Sequence, residues 1–311
     1  MPSSISKLAQ KFHKVPGVAT LKRVWSFIHR LRIALGITPF KILYETPNGL
    51  VFLSARINTP LSSKREVIAI PKDNVIYTYV KNYGEWGSLE ANYLVSIANK
   101  EHFATSSHIT LIDFGAHAGL VSKIFLDKFI GNRIEVILVD PLPMNIEAQA
   151  HNLRKYSKMV KQCESAITPL TRMVEFEIDL NNIGASKVKQ GLTAHNNRNI
   201  IEVLGISAQQ FELRYLQNFS RIVYKSDLEG LDTKIINQFS ENVWNRMVGG
   251  IIELDPHSNL EKEEIKALLK KFSSFNLSLN SDMSKLLSIS DLDEILGSSC
   301  RSVSNLYFNK K

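Results

Sequence analysis

The chain has 311 residues, 44% hydrophobic and 22% charged. Those proportions suit one large globular domain or two small ones and exclude a disordered chain. Its net charge of +8 is unevenly placed: residues 1–44 hold eight basic residues and no acid, while the other 30 Lys and Arg match all 30 Asp and Glu, so the body is neutral and the excess lies in one arm.

Within that arm, Leu21, Val24, Trp25, Ile28, Leu31 and Leu35 share one helical face, with Lys22, Arg23, Ser26, His29 and Arg30 opposite. Arg32 intrudes on the apolar stripe, and Gly36 and Pro39 end the helix. Such a helix either packs on the domain with a solvated basic face or contacts an anionic membrane surface or phosphate-bearing glycolipid. Lys41–Tyr44 and Leu50–Leu53 then flank Pro47-Asn48-Gly49, a hairpin signal. Residues 66–80 read as further strand-like segments. Residues 1–80 are expected to be an N-terminal extension, and 81–311 the main domain. Residues 85–99 look helical.

From residue 108 the texture changes. Short apolar runs at Ile109–Ile112, Arg133–Val139, Val160–Ile167, Arg221–Asp227 and Val248–Leu254 alternate with helical stretches. That alternation predicts an α/β fold with a mostly parallel sheet. Phe275–Leu279 and Val303–Phe308 are expected to form an antiparallel hairpin at one edge. Residues 181–199 are polar and read as a long loop, of the kind that is either functional or merely mobile.

No apolar run approaches the ~20 residues of a bilayer span, and charges interrupt the N-terminus too often for a signal peptide. The two cysteines, Cys163 and Cys300, are too distant for a disulfide framework or a metal cluster. A cytoplasmic protein is expected, with the arm as a contact to the inner membrane surface.

The chemistry concentrates at 111–122. A strand ends at Asp113, Gly115 opens a turn, and Gly119 stands four residues later. Ligands of open α/β sheets bind at the carboxyl ends of the strands. Gly-x-Gly-x-x-Gly would need glycine where His117 and Leu120 stand, and no Gly-Lys-Ser/Thr follows. A pyrophosphate cradle is therefore disfavoured, and the turn suits a ligand with an amino-acid end. The second strand ends at Asp140, whose carboxylate can accept two hydrogen bonds from a ribose diol.

These segments resemble the FkbM-family methyltransferases, a branch of the class I S-adenosylmethionine (SAM)-dependent O-methyltransferases. The resemblance covers roughly residues 84–309. Asp113-Phe-Gly115-Ala116-His117-Ala-Gly119-Leu-Val-Ser122 is similar to the family's Asp-x-Gly-Ala-Asn-x-Gly-x-x-Ser, with histidine for asparagine. Asp140-Pro-Leu-Pro143 followed by Asn152-Leu153 resembles Glu-Pro-x-Pro…Asn-Leu, one methylene shorter at the acid. Asn182-Ile-Gly184-Ala-Ser186, Lys225-Ser-Asp227-Leu-Glu229-Gly230 and Glu253-Leu-Asp-Pro-His257 resemble three further family segments in the same order.

The resemblance implies a Rossmann-like class I methyltransferase sheet and a SAM site. The cofactor set is Glu85, Asp113, Gly115, Ala116, His117, Gly119, Asp140 and Ser165. Family members commonly methylate hydroxyls of sugars or secondary metabolites, so a hydroxyl-bearing small molecule or glycan is the expected acceptor. A hydroxyl must lose its proton as it is methylated. Asp227 is the first candidate base; Glu229 and His257 are alternative bases or acceptor contacts. Asp227 and Glu229 could instead only cap the following helix, and no spacing requires a metal. Three rivals remain: a nucleic-acid methyltransferase or binder using the basic arm, an NAD enzyme, and a catalytically silent binding module. The confinement of the charge to one arm, with no nucleic-acid motif, disfavours the first. The absent dinucleotide fingerprint disfavours the second, and the intact turn the third.

Overall fold

The computed structural model describes residues 38–189, 198–216, 221–254, 262–297 and 304–311. The expected arm helix, His257 and Cys300 lie outside the described residues.

The described residues open with the expected hairpin. β1 (Phe40–Glu45) and β2 (Leu50–Ala55) pair antiparallel, and β3 (Val67–Pro71) adds to β2. The strand-like reading fails after β3, because Ile76–Tyr83 is a helix, α1. The Asp73 carboxylate accepts the N–H groups of Val75 (3.1 Å) and Tyr77 (2.8 Å) and so starts it. Ile76, Tyr77 and Val80 bury one side. Capping and one-sided burial override the aromatic and β-branched composition.

The body is a seven-stranded sheet. Its strands are β4 (Ile109–Phe114), β5 (Ile134–Val139), β6 (Val160–Cys163), β11 (Arg221–Ser226), β12 (Met247–Leu254), β13 (Phe275–Ser278) and β14 (Ser304–Lys310). Their order is β13-β14-β12-β11-β4-β5-β6. Neighbours from β6 to β12 are parallel, while β14 runs antiparallel to both β12 and β13; the edge pair is antiparallel as expected, but a helix at Ile289–Gly297 separates its strands, so it is not a hairpin. Both faces are covered. Leu111, Val136 and Leu138 pack in the layer of α2 (Ser88–Thr105) and α3 (Leu120–Lys128). Ile112, Phe114, Ile137 and Val139 pack with Phe211 of α5 (Ala208–Tyr215) and Ile235 of α6 (Asp232–Gln238). Two-sided burial is why these strands read as unbroken apolar runs.

Val160–Ile167 is not one strand. β6 ends at Cys163, and Ala166–Ile167 is β7, which belongs to a second sheet with β8 (Arg172–Asp179), β9 (Lys187–Val188) and β10 (Arg198–Ile206). In this four-stranded insert, the long loop read at 181–199 covers only β9 and the start of β10, and β8 was not anticipated.

The N-terminal strands share a core with the main domain: Phe40, Leu50, Leu53, Ile68 and Val80 cluster with Ala118, Leu120, Ile124 and Ala148. Asn152, at the end of α4 (Pro143–Asn152), locks them in place. Its side chain accepts the N–H of Ala69 (2.7 Å) and donates to the carbonyls of Ala69 and Ala118 (2.8 Å each). No helix among the described residues is long and apolar enough to cross a membrane.

Candidate functional site

The strand order reverses between β4 and β11, and the functional residues gather at the carboxyl ends of strands around that point. After β4 the chain turns sharply. Gly115 has φ +67°, and a Cβ there would lie 2.0 Å from the carbonyl oxygen of Asp227. Only glycine fits so close to the neighbouring strand. Gly119 has φ +70°, with side chains of Gln149, Leu138 and Leu153 each 3.2 Å from where a Cβ would stand. The N–H groups of Gly115 and Ala116 both donate to Val139 O at 3.1 Å, so the turn is sewn to the end of β5.

Asp140 continues that seam. Its Oδ2 accepts the N–H of His117 (3.0 Å), and its Oδ1 accepts Leu142 N–H (3.0 Å) and Asn145 Nδ2 (2.8 Å). A carboxylate offers about four acceptor positions, so one remains, on Oδ2. Asp140 is only 6% exposed. Burial, partly offset by these bonds, pushes its carboxyl up to about 6. The short aspartate is thus drawn into the turn, leaving one place for a ligand hydroxyl where the sequence argument allowed two.

Asp113 lies inside, at 0% exposure. It accepts from Ser122 Oγ (2.6 Å) and pairs with Lys225 Nζ (3.2 Å). Lys225 also donates to the carbonyls of Phe114 (3.3 Å) and Gly115 (3.0 Å) and stands 4.0 Å from Asp227 Oδ2. Burial opposes its charge, but Asp113 and Asp227 together hold its pKa above the usual lysine range. Lys225 belongs to the Lys225–Gly230 motif, but its burial is not legible in the sequence.

A cavity of about 1230 Å³ opens over this turn. Of the residues singled out in the sequence, Glu85, Gly115, Ala116, His117, Asp140, Ser165, Asp227 and Glu229 line it together. Asp113 and Gly119 do not: the first holds Lys225 from below, and the second packs against α4. Asp227 is 48% exposed at its side chain. The loop after it is held by Asp232, which pairs with Ser226 Oγ and accepts Leu228 N–H at 3.1 Å on both oxygens. Burial first, and then Asp227, push the Asp232 carboxyl up to about 7.

His117 takes a left-handed φ of 48° and lines the cavity with both ring nitrogens buried and unpartnered. Burial, aided by the Lys225 charge, pulls its pKa down to about 3, so the imidazole is neutral. Asn145 Oδ1 and Asn182 Oδ1, from residues that line the same space, are also buried without partners. Unpaired buried polar atoms call for a ligand or water.

The cavity roof comes from the extension and the insert, and sequence reasoning missed most of it. Tyr79 of α1 and Trp86 form an edge-to-face corner, 5.6 Å between centroids at 76°, and Tyr83 stacks behind Tyr79 at 4.4 Å. Asp73 ties the two roof pieces together, since its Oδ2 accepts Ile183 N–H of the insert at 3.1 Å. Among the described residues no group of three His, Cys, Asp or Glu is arranged to hold a metal.

Counted along the chain, the main-sheet strands run 3-2-1-4-5-7-6, with the seventh antiparallel. This is a Rossmann-like sheet, mostly parallel with an antiparallel edge, as expected. No family model and no curated protein matches the chain. Among solved structures it is similar to the METTL16 methyltransferase domain, at 9% identity over 73% of this chain and 69% of that one, with a TM-score of 0.40. It is also similar to methyltransferase FkbM from Methylobacillus flagellatus KT, at 10% identity over 65% of this chain and a TM-score of 0.35. A third is the bifunctional kinase-methyltransferase WbdD, at 8% identity, 77% coverage and a TM-score of 0.39. The chain spans 43% of the length of each of the last two. Likenesses this weak carry nothing about activity.

Proposed function

We propose that the protein is a SAM-dependent O-methyltransferase acting on a hydroxyl of a sugar, glycan or related secondary metabolite. The observation that carries this is the cavity itself, set at the strand-order reversal, floored by the Gly115–His117 turn and flanked by Asp140. Its residues fit an adenosyl ligand. Asp140 Oδ2 keeps one acceptor position for a ribose hydroxyl, while Asn145 and neutral His117 supply buried polar atoms that lack partners. Ser165 and Ala116 line the same space. Its volume exceeds the roughly 300–1,000 Å³ of a typical single-ligand pocket, so an acceptor has room beside a cofactor.

When bound, the sulfonium supplies an already activated methyl group. The chain's task is to position the hydroxyl and take its proton. Asp227 is suited to that: it lines the cavity, and the loop carrying it is fixed by Asp232. Neutral His117 offers a hydrogen bond to the ligands. Lys225 is committed to Asp113 and two carbonyls, so it holds the floor in shape.

Incubation with methyl-labelled SAM and a pool of hydroxylated glycans is expected to release S-adenosylhomocysteine and label the pool. Asp227→Asn should slow transfer about 10²-fold or more with SAM affinity kept. Unchanged turnover in that variant would remove Asp227 as the base. The basic arm, residues 1–44, is proposed to contact an anionic membrane surface or glycolipid. Removal of residues 1–40 should then weaken binding to vesicles containing anionic lipid, and unchanged binding would reject this role.

A further inference from the structure

The charge of the cavity is opposite to that of the arm. Its described lining carries the acids Glu85, Glu90, Asp140, Asp227, Glu229 and Glu253. Against these six stand three lysines, Lys128, Lys187 and Lys225, so the described lining is acidic on balance. Lys225 is moreover already matched by buried Asp113, which lies outside the lining. SAM, with an ammonium, a sulfonium and a carboxylate, carries one net positive charge and would cancel only part of this. Low-dielectric walls focus such a field onto whatever else enters.

A second feature lies on the extension side. The Tyr79 and Trp86 rings meet at 76°, forming a corner of two π systems. Tyr79 stays 39% exposed while Tyr83, stacked behind it, fixes its plane. Glu85 lies between these elements in sequence and lines the cavity, and burial, followed by the Glu85 charge, pushes the Tyr79 hydroxyl's pKa up. Perpendicular aromatic faces beside a carboxylate are a binding site for a positively charged nitrogen. The proposed base Asp227 and buried, unpartnered His117 line the same cavity.

We infer that the molecule bound beside the cofactor is a hydroxyl-bearing cationic amine, seated with its charged nitrogen in the Tyr79–Trp86 corner next to Glu85. This rests on the methyltransferase reading only for what the hydroxyl is used for. The same field repels phosphorylated and other anionic acceptors.

The test is a titration of the full chain with choline, glycerol and glycerol 3-phosphate, small hydroxylated probes that differ in charge, followed by Trp86 fluorescence. Choline is expected to saturate in the millimolar range and to bind at least tenfold more tightly than glycerol 3-phosphate. Tyr79→Ala and Glu85→Gln should each weaken choline about tenfold, and Trp86→Phe should remove the signal. Choline binding should persist with S-adenosylhomocysteine present. Absence of saturable choline binding, equal binding of glycerol 3-phosphate, or insensitivity to both substitutions would overturn the inference. Loss of choline binding when S-adenosylhomocysteine occupies the protein would give the corner to the cofactor sulfonium and overturn it too. Because the first titration contains no cofactor, its failure is distinct from a failure to bind or use SAM.

Discussion

Lys225 and Asp113 show how much of this site is spent on holding itself together. Both are buried, and each is the other's principal countercharge. Removing one partner of a buried pair leaves an uncompensated charge, at about 3–5 kcal/mol. Lys225→Met is therefore expected to lower unfolding free energy by about that amount. The double variant Asp113→Asn/Lys225→Met should lose less than the two single changes added together. Denaturant titration of the four proteins reads this directly, and strict additivity would deny the coupling. The titrating acids give a second residue-scale expectation. Asp140 and Asp232 are raised from 3.8 to about 6 and about 7, chiefly by burial. Between pH 4 and 7 the folded chain keeps protons that the unfolded chain has released, so each group subtracts stability as pH rises through that window. Relative to Asp232→Asn, wild type should lose stability from pH 4 to about 7, where the Asp232 change is centred, and level off beyond. A difference that stays flat across the range would place the Asp232 carboxyl at its ordinary value.

Among the elements, the joint between the N-terminal strands and the main domain combines a shared hydrophobic core with the polar clamp of Asn152 on β3. Asn152 supplies partners to the N–H and carbonyl of Ala69 and to the carbonyl of Ala118. Buried backbone groups left unpaired cost about 1–3 kcal/mol each. Asn152→Ala is thus expected to destabilise the protein by about 2 kcal/mol or more, with faster amide exchange across Val67–Pro71. Slow exchange at wild-type levels would mean that hydrophobic packing alone seats β3. The same joint shows what a sequence can and cannot disclose. β4, β5, β11 and β12 are legible because burial on both faces leaves apolar runs ending at turn or polar residues. α1 is not, because Ile76, Tyr77, Tyr79 and Val80 have strand composition, and the helix is set by the Asp73 cap and by neighbours distant in sequence. β8 and β10 are obscured because much of their surface is exposed and charged, as at Arg172, Glu175 and Glu202. The break between β6 and β7 leaves no mark beyond Glu164-Ser165.

Across the whole molecule, three parts of the chain converge on one cavity: the strand ends of the main sheet, α1 with the Glu85–Gly87 turn, and the Asn182–Ser186 segment of the insert. The first was legible, because a glycine-bearing turn after one strand and an acid after the next have a known place in an open α/β sheet. Whether each residue faces the ligand or the interior was not. Asp113 is turned inward to Lys225, Asp140 is mostly consumed by the turn, and the Tyr79–Trp86 corner depends on how the extension docks. The central claim is that this cavity holds SAM against Asp140. Calorimetric titration with SAM tests it most directly, using wild type and Asp140→Asn with folding checked by circular dichroism. Micromolar binding by wild type, weakened at least tenfold in the folded variant, is the predicted result. A folded wild type that takes up no SAM, or equal affinity in the two proteins, would contradict it.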